Sequence, residues 1–185
     1  MWALARFVRF AYWLNRLVGR AAGWLVLATV LICASVALAR YGLNFGRVWM
    51  QELYVVTFAV SFMLVAPLAY GDNQHVRVDI LARQFPPRRR AWIEIGGAVL
   101  FLVPWLLLVL WSSRPFVALS WAVAEPSPQA GGLPGLYLVK AVIPAFACLL
   151  LLQGLGVIGR NVILLAGRED ILPPDLRSEP AGSVS

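Results

Sequence analysis

Four runs of about twenty predominantly apolar residues leave this chain few folds, because a helix needs about that many to cross the ~30 Å hydrocarbon core of a bilayer. The runs are Ala21–Ala39, Glu52–Tyr70, Ala91 to about Trp111, and Tyr137–Gly159. Inside a bilayer, backbone polar groups must pair within the chain, so each run predicts a transmembrane helix. The fold class expected is an all-α integral membrane protein with four transmembrane helices, plus an amphipathic N-terminal helix. Composition agrees: of 185 residues, 61% are hydrophobic and only 14% charged, against about 25% charged in a soluble domain.

The first run has a competing reading as a cleavable signal peptide, since arginines precede it and Ala37–Ala39 reads "ALA". However, the basic region before it is long, and the run exceeds the usual 7–15 residues of a signal peptide's apolar core. A retained helix is expected.

Basic residues set the orientation. Arg6, Arg9, Arg16 and Arg20 precede the first run, and Arg77, Arg83, Arg88, Arg89 and Arg90 separate the second from the third. Arg160, Arg168 and Arg177 follow the fourth. Together these twelve fall on one side, against four (Arg40, Arg47, Arg114, Lys140) on the other. Outward movement of positive charge is disfavoured during insertion, so the side with twelve is predicted to be cytoplasmic, with both termini inside. A net charge of +7 therefore reads as topology and lipid-headgroup charge; no nucleic acid partner is expected. Arg88, Arg89 and Arg90 are placed to meet headgroup phosphates.

Three regions emerge from this pattern. Residues 1–20 mix Trp2, Phe7, Phe10, Trp13 and Leu17 with four arginines, which predicts an amphipathic segment lying at the membrane face. Residues 21–160 form the four-helix membrane domain, with helices over about 21–39, 52–70, 91–111 and 137–159. Residues 161–185 are expected to be a disordered cytoplasmic tail. Val78, Leu81 and Phe85 predict a short interfacial helix in the cytoplasmic connector. The apolar stretch from Ala91 to Ala124 is too long for one span, so Arg114–Pro115 is expected to interrupt it and to start a separate outer helix over Pro115–Ala124. A proline- and glycine-rich loop, "EPSPQAGGLPG", comes next.

The polar residues invite chemical readings, each with a plainer one. His75 is the only histidine, so two-histidine haem ligation by this chain alone is excluded. It sits near Arg77 and Asp79 in the connector and is expected to bond locally. Glu52 opens the second helix, where the helix dipole favours an acid. Glu94 can pair with Arg90 at i, i+4. Lys140 is expected to snorkel or to pair with Glu125 or Glu52. Gly19 with Gly23, and Gly156 with Gly159, could allow close helix contacts. Cys33 and Cys148 lie in apolar runs with no metal-ligand spacing, and no cofactor is expected. No nucleotide loop, nucleophile elbow or zinc motif occurs, so no enzyme activity is expected.

An ordered series of motifs carries a family resemblance. It comprises "WMQELYVVTF" (from Trp49), "HVRVDIL" (from His75) and "PPRRRAWIEI" (from Pro86). It continues with "RPFVALSW" (from Arg114), "EPSPQAGGLPGLYLVKAVIP" (from Glu125) and "LLLLQGL" (from Leu149). From Trp24 to Arg160 the chain resembles the small, DctQ-like membrane subunit of tripartite ATP-independent periplasmic (TRAP) transporters. The later motifs look most like the subgroup labelled for mannitol or chloroaromatic compounds. The arginine-rich N-terminus and "APLAYGDNQ" depart from that pattern.

The resemblance implies a multi-pass protein of the bacterial inner membrane. Its partners would be a large elevator-type membrane subunit, a periplasmic substrate-binding protein and membrane lipids. Its task would be to scaffold the large subunit and help dock the binding protein during ion-gradient-driven uptake of an organic acid. Candidate periplasmic or partner contacts are Arg47, Gln51, Glu52, Glu125 and Lys140; His75, Arg77 and Asp79 match the connector motif. Two other classes remain at the sequence level: a membrane-anchor subunit of a redox complex, and a small membrane enzyme.

Overall fold

The computed structural model describes residues 1–72 and 85–177. Among them, four helices are long and apolar enough to cross a membrane. Helix α1 covers Trp2–Gly42 and α2 covers Val48–Gly71. Helix α3 joins Pro87–Gly97, a five-residue π-helical turn Ala98–Leu102, and Val103–Ala122. Helix α4 covers Leu136–Leu165, followed by two 3₁₀ turns, Glu169–Ile171 and Pro174–Leu176.

The first departure from expectation is α1. Residues 1–20 are not set off from the first span by any break; they are the first half of one 41-residue helix, about 61 Å long at 1.5 Å per residue. The reason lies in its buried stripe. Ala5, Val8, Tyr12, Asn15, Gly19 and Ala22 recur at alternating spacings of three and four and are all buried, the spacing of a helix–helix seam. That seam crosses residue 20 without a break. Trp2, Phe10, Trp13 and Leu17, which suggested a membrane-lying face, are exposed on the other side.

Small residues bring the helices together. A Cβ at Gly156 would stand 3.1 Å from the Ala11 Cβ, and one at Gly159 would stand 2.9 Å from a Val8 methyl. So α4 presses its glycines onto the first half of α1, as the Gly156/Gly159 spacing suggested. Gly19 is equally tight against Leu68 of α2, whereas Gly23 has nothing near it. The first of two apolar clusters joins Ala5, Val8 and Tyr12 of α1 to Val157 and Ile163 of α4. The second packs Leu106 of α3 on Ala147 and Leu150 of α4.

The second departure is in α3. No break occurs at Arg114–Pro115, and no separate helix covers 115–124; the helix runs through Pro115 to Ala122. Proline removes one donor, here the partner of the Trp111 carbonyl, and the residues flanking it continue the ladder. The backbone is instead reshaped before Pro104. A proline ring crowds the carbonyl four residues back, which is that of Leu100. The turn there is widened, and the Val103 N–H bonds five residues back to Ala98.

The third departure is the C-terminal segment. Residues from 161 onward are not a disordered tail as far as they are described. Helix α4 continues to Leu165, and Ile171, Leu172 and Leu176 are buried against the α1–α4 cluster. The Arg160 Nε donates to the Leu176 carbonyl at 2.8 Å. The Arg177 Nε donates to the Leu172 carbonyl at 3.0 Å. Three spaced apolar residues outweigh the polar composition around them. Both cysteines are free.

Candidate functional site

The loop between α3 and α4 and the start of α2 meet at one end of the bundle. Glu52 is in the second turn of α2. Its Oε1 accepts the Ser127 hydroxyl and its Oε2 accepts the Leu133 N–H at 2.7 Å. The loop also closes on itself, because the Ser127 N–H donates to the Leu133 carbonyl at 3.0 Å. One carboxylate therefore clasps both strands of a closed loop. Gly132 passes directly over it: a Cβ there would lie 2.5 Å from the Ser127 Oγ and 2.7 Å from Glu52. Gly135, at φ 104°, turns the chain into α4, a backbone region that favours glycine.

A second tie holds the loop's other side. The Lys140 Nζ pairs with Glu125, one of the two partners expected for it. Lys140 also sits over the Phe116 ring, 4.1 Å from its centroid, a favourable cation–π position. The lysine ammonium holds the Glu125 carboxyl below its ordinary range near 4.5. Trp121 meets Tyr137 edge-on at 5.0 Å. Beneath the loop lies a cavity of about 640 Å³, with Gln51, Glu52, Ser127 and Gln129 at its polar edge and Val56, Val60 and Val142 deeper.

This end brings together four of the five candidate contact residues. Gln51 and Glu52 line the cavity, and Glu125 with Lys140 brace the loop. Arg47 is the N-cap of α2, exposed, with its guanidinium 5.6 Å from the Phe45 ring centroid. Glu52, Glu125 and Lys140 already have partners within the chain, which leaves Arg47 and Gln51 as the outward-facing members.

The opposite end is polar in a different way. His75, Arg77 and Asp79, and most of the short helix expected at 78–85, lie outside the described residues. Arg88 and Arg89 are exposed at the start of α3. Arg90 bonds Glu94 at 3.2 Å, the pair expected from spacing. The second Glu94 oxygen accepts from the Asn161 Nδ2 at 2.9 Å. Deeper, the Asn15 Nδ2 donates to the Gln153 Oε1 at 2.8 Å, and both residues are buried. Sequence reasoning missed this node. Its signal was an asparagine on the apolar stripe of α1 and the glutamine of "LLLLQGL".

Among the described residues, no three histidine, cysteine or acidic side chains gather as a metal site. The polar groups tie helices and loops together.

Comparison with known proteins points one way. The family model described as "Tripartite ATP-independent periplasmic transporters, DctQ component" matches residues 28–163. A protein of Haemophilus influenzae assigned as a TRAP transporter small permease protein is 32% identical over 85 residues. That alignment covers 46% of this chain and 52% of the relative, so the chain spans about half the relative's length. No solved structure matches it.

Proposed function

Because this chain belongs to the DctQ component family of TRAP transporters, we propose that it braces the large membrane subunit and helps dock the periplasmic substrate-binding protein. The chain is a small permease subunit, a multi-pass inner-membrane transporter component and not an enzyme.

The clasped loop carries the reading. A docking face has to keep its shape when its partner leaves, and Glu52 and the Glu125–Lys140 pair hold the loop without help from another chain. Arg47 and Gln51 stand beside it as the groups free to meet an incoming protein. With both termini cytoplasmic, as the arginine distribution favours, this end faces the periplasm. The family resemblance further implies that the solute is an organic acid, delivered by the binding protein and driven by an ion gradient. The resemblance to the mannitol- or chloroaromatic-labelled subgroup rests on the motifs after Arg114 and names no solute. The family match favours this reading over a redox anchor.

The test has two parts. The tagged chain, purified from its native membrane in mild detergent, should bring the large subunit with it; purification alone or with redox subunits overturns the scaffold role. Arg47→Glu with Gln51→Lys should lower uptake while the membrane complex stays intact. Unchanged uptake by that variant overturns the docking role.

A further inference from the structure

The first half of α1 carries a feature that the transport reading does not use. Arg9, Trp13, Arg16 and Arg20 follow one another at i, i+4, i+7 and i+11, so they share one face of the helix. They line a groove of about 620 Å³ whose far wall is Pro173, Asp175 and Leu176. That wall is fixed, since Leu176 is buried and its carbonyl is held by Arg160. Arg16 is neutralised where it stands, between Asp175 and Asp72. Arg9 and Arg20 are exposed and have no carboxylate partner among the described residues. The groove thus has a surplus of positive charge at both ends of a fixed wall.

Its other component is apolar. Phe10 and Leu17 line the same groove and are about half exposed. They begin a ridge of exposed residues seven apart, Phe10, Leu17, Trp24, Leu31 and Leu38. This ridge runs without interruption from the groove into the apolar run at 21–39. A free anion would have no use for such a ridge. A soluble acidic peptide would leave the bilayer half of it unmet.

The geometry points to a binding site for an acidic phospholipid. Its phosphate and headgroup lie between Arg9 and Arg20, beside Trp13, and an acyl chain follows Phe10 and Leu17 toward Trp24. Basic pockets at the membrane boundary select acidic headgroups by charge, and tryptophan suits the level where headgroup meets chain. The proposal rests on the membrane location of the chain and not on its docking role.

The full-length protein in detergent is titrated with phosphatidylglycerol, with phosphatidylcholine and with inorganic phosphate, and bound lipid is counted by native mass spectrometry. Phosphatidylglycerol should bind and raise the melting temperature; neither of the others should. Arg9→Gln with Arg20→Gln should weaken binding by about twenty-five-fold, since each arginine near an acidic surface is worth about a factor of five. The variant should keep its fold, because neither side chain has a carboxylate partner among the described residues; equal helicity by circular dichroism checks this. Arg40→Gln, in the last turn of α1 and far from the groove, should leave binding unchanged. Equal binding of phosphatidylcholine, an equal melting shift from inorganic phosphate, or full binding by the Arg9/Arg20 variant would each overturn the site.

Discussion

Asn15 and Gln153 show what one hydrogen bond decides inside this bundle. Both are buried, and the asparagine donates to the glutamine across the α1–α4 seam. Asn15→Leu leaves the Gln153 oxygen without its donor, at a cost of about 1–3 kcal/mol, whereas replacing both partners by leucine is closer to neutral. Thermal unfolding in detergent should therefore rank Asn15→Leu below the double variant; the reverse order would show that the pair does not act as a unit. Glu125 makes a different prediction. Its carboxyl is depressed by Lys140, so the stabilisation is fully present above its ordinary value near 4.5 and is lost as pH falls through the lower folded value. Protease sensitivity of the 123–135 loop should stay flat through neutral pH and rise only in that acid window. It should rise at all pH values in Lys140→Ala. The Arg90–Glu94 pair was legible from its i, i+4 spacing, whereas for Lys140 the sequence left Glu125 and Glu52 both open as partners. The Glu52 clasp was not legible. Its partners, a serine hydroxyl and a backbone N–H, lie 75 and 81 positions away, and nothing local marks them.

Among the elements, glycine position matters more than glycine number. Gly159→Leu drives side-chain atoms into Val8 and Leu4, and overpacking of this kind costs about 1–3 kcal/mol. A Cβ at Gly23 meets nothing, so Gly23→Ala should not lower the melting temperature. Equal loss from both would mean that the α1–α4 seam does not hold the bundle together. Existence of the four helices was legible from apolar run length alone, but their ends were not. Hydropathy sees the lipid-facing stretch and stops where arginines begin, while the Ala5-to-Ala22 stripe carries α1 well beyond it. The same blindness hid Ile171, Leu172 and Leu176, whose burial depends on α1 being there. The stop expected at Pro115 failed because proline removes only one donor. The reshaping at Ala98–Leu102 had a visible cause in Pro104, but proline alone does not announce a π turn.

For the whole molecule, the arginine imbalance predicts sidedness. A cysteine placed at Gln129 should react with a membrane-impermeant maleimide added outside, and one placed at Arg88 should react only after the membrane is opened. The opposite pattern would invert the bundle and put the clasped loop in the cytoplasm. The seam that closes the bundle also has a timetable. Asn15 and Gln153 are 138 positions apart, and at about 5–20 residues per second the ribosome needs about 7–30 s to go from one to the other. For that interval the first half of α1 exists while α4 does not. Its tryptophans and arginines suit the surface of a bilayer, and its small-residue stripe suits a helix that has yet to be made. The same twenty residues thus serve two settings in succession: a waiting place on the lipid during synthesis, and the lock that shuts when the last helix arrives.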